Sequence, residues 1–193
     1  MTHPEATASG SVSCAVAGSG GWCRGGAELS LSGSEPLAGY TILALEGTRN
    51  GETFACPGSS CSVPLLEGIN DFTFWALSSW GDSSRMGTAS GRLDSGPPVI
   101  SGEVTGTAGE AGWYVSEVTV TASAGDAVSG LATFDLALDG GGWAPYSGPV
   151  TLSDGEHTVE LRASDAAGNV ATESLEVRVD TQPPDLNLAV GGS

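Results

Sequence analysis

The stretch Glu117-Val118-Thr119-Val120-Thr121 alternates apolar and polar side chains with a period of two. The same period recurs downstream. Phe134, Leu136 and Leu138 alternate with Asp135 and Ala137, Val159 and Leu161 with Glu160 and Arg162, and Leu175, Val177 and Val179 with Glu176 and Arg178. Successive side chains of a β-strand point to opposite faces, so this pattern predicts half-buried strands, whereas a helix would repeat every 3.6 residues. Between the runs lie the turn-forming clusters Ala124-Gly125-Asp126, Asp139-Gly140-Gly141-Gly142, Ser153-Asp154-Gly155 and Ala167-Gly168-Asn169. About seven short strands with such punctuation predict a small antiparallel sandwich. No segment longer than a turn reads as helix.

The N-terminal half repeats this frame. Gly21-Trp22 falls on Gly112-Trp113, Leu29 on Val120, Gly39 on Gly130, Leu43 on Phe134 and Leu45 on Leu136. Further on, Glu67-Gly68 falls on Asp154-Gly155, and Phe72, Phe74 and Ala76 on Val159, Leu161 and Ala163. The series ends with Asp94-Ser95-Gly96-Pro97-Pro98 over Asp180-Thr181-Gln182-Pro183-Pro184. Matching strands, turns and linkers in one order predict two homologous domains, residues 3–96 and 97–182, with residues 183–193 beginning a further repeat or linker. Each Pro-Pro pair fixes its own φ and keeps the preceding residue out of helix, which predicts short, semi-rigid connections. A chain that starts and stops so abruptly reads as a piece of something longer.

The expected fold class is all-β, as two tandem immunoglobulin-like or fibronectin-like antiparallel β-sandwiches. An antibody-type domain would join its sheets by a core disulfide. Here the inward positions are apolar, Val118, Val120, Val159 and Leu161 in one domain and Leu29, Phe72 and Phe74 in the other. The ordered series Gly112-Trp113-Tyr114-Val115, Leu138-Asp139-Gly140-Gly141 with Trp143, Tyr146-Ser147-Gly148-Pro149, Gly155-Glu156-His157-Thr158-Val159, Asp165-Ala166-Ala167-Gly168-Asn169 and Asp180 to Pro184 resembles the bacterial immunoglobulin-like repeats of large secreted and cell-surface proteins, in particular the OmpL47 group. The first domain departs from that series, with cysteines, Ser78-Ser79-Trp80-Gly81-Asp82 in place of the Asp-to-Asn loop, and no Trp-x-x-Tyr segment. The resemblance implies an extracellular spacer, adhesive or ligand-binding module, and names no ligand.

Charge narrows the partners. The 193 residues carry 23 acidic side chains against 6 basic ones, all arginine, for a net charge of −17. Without a basic cluster such a chain repels phosphate backbones and anionic lipid, so neither nucleic acid nor membrane insertion is expected. The lack of lysine removes Schiff-base catalysis, a P-loop and lysine-to-asparagine cross-links. Edge strands look guarded by Glu117, Glu176 and Arg178, which makes a monomer the default. Expected partners are neighbouring repeats of the same chain and, beyond them, a glycan or surface protein.

All four cysteines, Cys14, Cys23, Cys56 and Cys61, fall in the first domain. Four cysteines allow three pairings; proximity favours Cys14 with Cys23 and Cys56 with Cys61. The competing reading is a zinc site, although zinc pairs are usually spaced Cys-x2-4-Cys. Disulfides would place the chain in an oxidising compartment, at the cell surface or outside the cell.

No enzyme motif is present: neither Gly-x-Ser-x-Gly, His-Glu-x-x-His, Gly-x-Gly-x-x-Gly nor a P-loop occurs, and a non-catalytic protein is expected. His3 lies at the start, and His157, opposite Asn70 in the repeat, is expected to face outward from a strand. No cofactor is required. Calcium is the one candidate, with ligands from Asp126, Asp165 and Asn169 and from the linker residues Asp94 and Asp180. Against it, Asp and Asn in turns bond their own backbone without any ion. Trp22 and Trp113 share a repeat position and are expected to be structural, and Trp143 with Tyr146 to cover an open end of the core. Trp80 has only Ala167 opposite it and, with Trp75, is the candidate for stacking on a sugar or peptide, against partial burial at the loop base. The sequence therefore reads as a spacer or stalk module with a possible adhesive surface, the alternative being a carbohydrate- or protein-binding module built around Trp80.

Overall fold

In a computed structural model that describes residues 4–185, the chain is all-β, and no helix occurs among those residues. His3 and most of the expected further repeat lie outside the described residues. The chain divides into two compact units. The first comprises residues 1–97 together with the loops 126–130 and 165–169, and the second residues 98–125, 131–164 and 170–193.

The first unit holds β1 (Thr7–Ala17), β2 (Cys23–Ser34), β3 (Ile42–Arg49), β4 (Glu52–Pro57), β5 (Ser60–Pro64), β6 (Gly68–Ser78) and β7 (Gly87–Leu93). Strand β2 lies between β1 and β5, while β7, β6, β3 and β4 form a second row. The two rows are joined by one parallel pair, Cys23 with Leu93. Leu29 and Leu31 from the first row and Leu45, Phe72, Phe74 and Ala76 from the second are all buried in one core. Sheet-on-sheet packing of this kind buries alternate residues of each strand.

Several glycines that look like punctuation in the sequence lie inside these strands. Gly10 and Gly87 face the Phe74 ring, and Gly47 faces the Phe54 ring, so that a Cβ at any of the three would overlap an aromatic side chain. At these three positions the missing side chain gives the large rings room.

The second unit holds β8 (Val99–Thr105), β9 (Trp113–Tyr114), β10 (Val118–Gly125), β11 (Leu131–Leu138), β12 (Ala144–Pro145), β13 (Val150–Leu152), β14 (Gly155–Asp165) and β15 (Val170–Val179). They form a three-stranded sheet, β13-β10-β8, and a five-stranded sheet, β12-β11-β14-β15-β9. Val118, Val120, Val159 and Leu161 are fully buried, with Leu152, Val177 and Val179 beside them. The repeat is preserved in register: the parallel pair Tyr114 with Val179 occupies the place of Cys23 with Leu93. Between the sheets, the Tyr146 hydroxyl accepts the backbone N–H of Ala122 at 2.9 Å, and its ring packs on Phe134 with centroids 5.1 Å apart.

Three expectations are corrected here. Ala137, expected outward, is 1% exposed, whereas Phe134 and Leu136 are only partly buried. On the face that Ala137 shares with it, Asp135 pairs with Arg162 at 3.1 Å, so that face is not bare to solvent. Arg178 does not guard an edge, because β15 pairs there with Glu156 on one side and Trp113 on the other. The long outer strand β1 contains no charged residue at all; it is interrupted instead by a register shift between Cys14 and Val16.

Candidate functional site

The most organised polar feature of the chain is the way each repeat fastens the linker that leaves it. In the first repeat, the Asp94 N–H donates to Cys23 O at 3.0 Å, Asp94 Oδ1 accepts the Gly96 N–H at 3.1 Å, and Glu67 accepts both the N–H and the hydroxyl of Ser95. In the second, the Asp180 N–H donates to Tyr114 O at 2.9 Å and Asp180 Oδ1 accepts the Gln182 N–H at 3.1 Å. Asp154 accepts the Thr181 N–H at 2.9 Å and its hydroxyl at 2.8 Å. These bonds, the Thr181 N–H foremost, hold the Asp154 carboxyl below its ordinary range. The linker carboxylates Glu67 and Asp154 escaped the sequence reading. The signal was there, since an acid precedes a glycine at the same repeat position and a hydroxyl residue recurs in the linker.

In the first unit the calcium candidates come together. Carboxylate oxygens of Asp94, Asp126 and Asp165 lie within 4.8 Å of one another, and Asp94 and Asp165 are 0% and 2% exposed. Asp126 Oδ1 accepts the N–H groups of Val128, Ser129 and Gly130, and Asp165 Oδ1 those of Gly168 and Asn169. Asp94 Oδ2 accepts the Ser129 N–H at 3.0 Å. Asn169 is not a fourth oxygen donor: its amide nitrogen points inward, donating to Asp94 O at 3.0 Å, Gly96 O at 3.1 Å and Asp165 Oδ2 at 2.8 Å. Asp180 is exposed and takes no part. Backbone bonds within each turn account for the local loop shapes. They do not account for three like charges converging where no arginine or histidine pairs with them among the described residues. The donor set is hard oxygen, which suits a divalent cation of the calcium class.

His157 does not face outward. It shares the inward parity of Val159, and its side chain is 12% exposed. One ring nitrogen meets Asp139 Oδ2 at 2.9 Å and the other meets Ser153 O at 3.0 Å. With an acceptor at each nitrogen the protonated ring is favoured, and the Asp139 bond foremost raises the His157 pKa while lowering that of Asp139. Asn70, at the same repeat position, is fully buried and bonds Leu66 and Gly68. Both positions pin the turn that precedes the strand.

The tryptophans separate. The Trp75 indole donates to Glu46 at 3.2 Å. Trp80 is 51% exposed in the turn after β6, edge-on to Tyr40 with ring centroids 4.8 Å apart, whereas Ala167 opposite it in the repeat is fully buried. Trp143 does not cover the core end. It is 39% exposed and stacks with the Arg162 guanidinium 4.3 Å from its centroid, while Arg162 also pairs with Asp135 at 3.1 Å. Trp22 is half-buried, with Arg92 5.9 Å away. The cysteines form two disulfides, Cys14 with Cys23 and Cys56 with Cys61, with Cα separations of 5.3 and 6.1 Å.

Two sheets, an apolar core without a bridging disulfide and Tyr146 spanning the sheets define an immunoglobulin-like sandwich. In agreement, residues 115–181 match the family model of the bacterial Ig-like domain. No curated protein matches the chain. Among solved structures, the chain is similar to fibronectin(III)-like modules of CbhA from Clostridium thermocellum, at 13% identity and a TM-score of 0.35, over 94% of this chain and all of that one. It is also similar to a structure from a 1.5-MDa bacterial ice-binding adhesin described for host cell surface retention, at 15% identity and a TM-score of 0.38, over 93% of this chain and 67% of that one.

Proposed function

We propose that the chain is a non-catalytic, extracellular spacer of a larger bacterial secreted or surface protein, whose Ig-like repeats hold a distal part away from its base. The observation that carries this reading is the repeated fastening of the outgoing linker by Glu67 on Ser95 and by Asp154 on Thr181. A spacer depends on stiff connections, and a Pro-Pro pair whose preceding residues are already hydrogen-bonded has few conformations left. The two disulfides support an oxidising compartment. A calcium-class cation held by Asp94, Asp126 and Asp165 belongs to the same proposal, since it would neutralise the converging carboxylates and stiffen the connection further. Calorimetry tests the ion separately: millimolar calcium is expected to raise the melting temperature and a chelator to reverse the rise, and an unchanged curve removes the ion from the proposal.

A second reading, a carbohydrate- or protein-binding module, rests on the exposed Trp80 beside Tyr40. An exposed tryptophan set edge-on against a partly buried tyrosine is suited to stacking on a sugar ring or a peptide. Glycan and protein arrays, together with a hydrolase screen, decide between the readings. The spacer reading expects no saturable ligand and no turnover, while binding that is lost in Trp80→Ala would replace it by the second.

A further inference from the structure

Resting on the spacer reading, we infer that the segment Asp180-Thr181-Gln182 is a preformed receptor for two loops of a following Ig-like repeat, loops of the kind this chain carries at 126–130 and 165–169. The argument begins with Asp94. Its N–H is fixed on Cys23 O, its Oδ1 holds the Gly96 N–H, and Glu67 holds Ser95. With the turn so fixed, three acceptors are presented and all are used within the first unit. Asp94 Oδ2 takes the Ser129 N–H, and the carbonyl oxygens of Asp94 and Gly96 take the Asn169 carboxamide. Asp94 is fully buried in consequence.

The second repeat builds the same turn. Asp180 N–H is fixed on Tyr114 O, its Oδ1 holds the Gln182 N–H, and Asp154 holds Thr181. The corresponding acceptors, Asp180 Oδ2 and the carbonyl oxygens of Asp180 and Gln182, have no partner among the described residues, and Asp180 is exposed. A receptor whose conformation is already fixed loses little entropy when it is engaged. The occupant its acceptors fit has the donors seen on Asp94: a backbone N–H from an Asp-headed turn such as Asp126–Gly130, and a carboxamide such as that of Asn169. The Asp180 carboxylate offers only acceptors, and so calls for N–H donors such as those the two loops present to Asp94. Thr181 and Asp154 keep the chemistry of Ser95 and Glu67, and Gln182, where the first linker has Gly96, shares the backbone pattern and adds a carboxamide bond to Asp154 Oδ2 at 3.3 Å.

The test appends a second copy of residues 97–182 directly after Gln182, which preserves the Pro-Pro pair, and labels that copy alone with 15N by segmental ligation. Its melting is then followed by NMR in the extended chain with and without Asp180→Ala. The expected result is a fall of about 4 to 8 °C for the appended copy. The same substitution in the original chain, where the acceptors have no partner among the described residues, is expected to shift melting by no more than about 2 °C. An appended copy that melts at the same temperature with and without Asp180→Ala overturns the inference, as does an equal loss in the original chain, which would mark Asp180 as a purely local prop. Neither outcome bears on whether the chain binds a glycan or turns over a substrate, so the spacer reading stands or falls on the arrays and the hydrolase screen alone.

Discussion

The phenolic oxygen of Tyr146 accepts the backbone N–H of Ala122 at 2.9 Å, and so ties the short segment beside β12 to strand β10 of the opposite sheet. The second unit has no disulfide, which leaves this bond as a specific polar fastening between sheets that otherwise adhere by apolar packing. Tyr146→Phe keeps the ring on Phe134 and leaves the Ala122 N–H without its acceptor. A loss of about 1 to 2 kcal/mol is expected, read as a lower urea midpoint at unchanged slope. A variant as stable as the parent would show that water replaces the hydroxyl at no cost.

The His157 clasp gives the stability a pH dependence of known sign. The folded His157 pKa is raised, so its contribution is complete below the ordinary histidine value of 6.5 and is lost as pH rises through the folded value. The folded Asp139 pKa is lowered, so its contribution is present above the ordinary 3.8 and is lost as pH falls through the folded value. The clasp is therefore strongest between those limits. Urea unfolding from pH 5 to 9 is expected to show stability declining on the alkaline side, and His157→Gln is expected to flatten that decline. An identical slope in the variant would assign it to other groups.

Reduction is expected to act on one unit only. Loops of 9 and 5 residues each confer about 2 to 3 kcal/mol on the chain-entropy estimate, all of it in the first unit. Scanning calorimetry with a strong reductant should lower the transition of the first unit and leave the second where it was. Movement of both transitions together would mean that the two do not unfold independently.

The strand glycines lead to a prediction opposite to the usual gain from replacing glycine by alanine. Gly87 lies against the Phe74 ring, and an added methyl would have to displace the ring or the strand. Gly87→Ala is expected to cost about 1 to 3 kcal/mol by overpacking, while alanine at an exposed position such as Gly26, where nothing approaches, should be near neutral. Equal midpoints for the two variants would contradict the steric account.

What the sequence made legible follows from how local the cause is. Val118, Val120, Val159 and Leu161 declare themselves by period two, because the pleat alone decides which face they take. Ala137 did not, since period two assigns it to the outward face with Asp135, and its burial is set by tertiary packing that the strand alone does not encode. His157 shares the parity of Val159 and was legible in principle; its polarity concealed that parity. The convergence of Asp94, Asp126 and Asp165 could be named as candidate ligands one by one, but their meeting depends on the tertiary course of three separate turns. Asn169, also named, drops out as an oxygen ligand, because an amide can turn its nitrogen inward where a carboxylate offers only oxygen.

The shortness of the two disulfide loops has a bearing on how such a chain is made. Each pair of sulfurs joins strands consecutive in the chain, 9 and 5 residues apart, so both partners become available almost together as the polypeptide is made. Oxidation can then finish before the next repeat arrives. The second unit has no cysteine, so neither bridge meets a competing partner there.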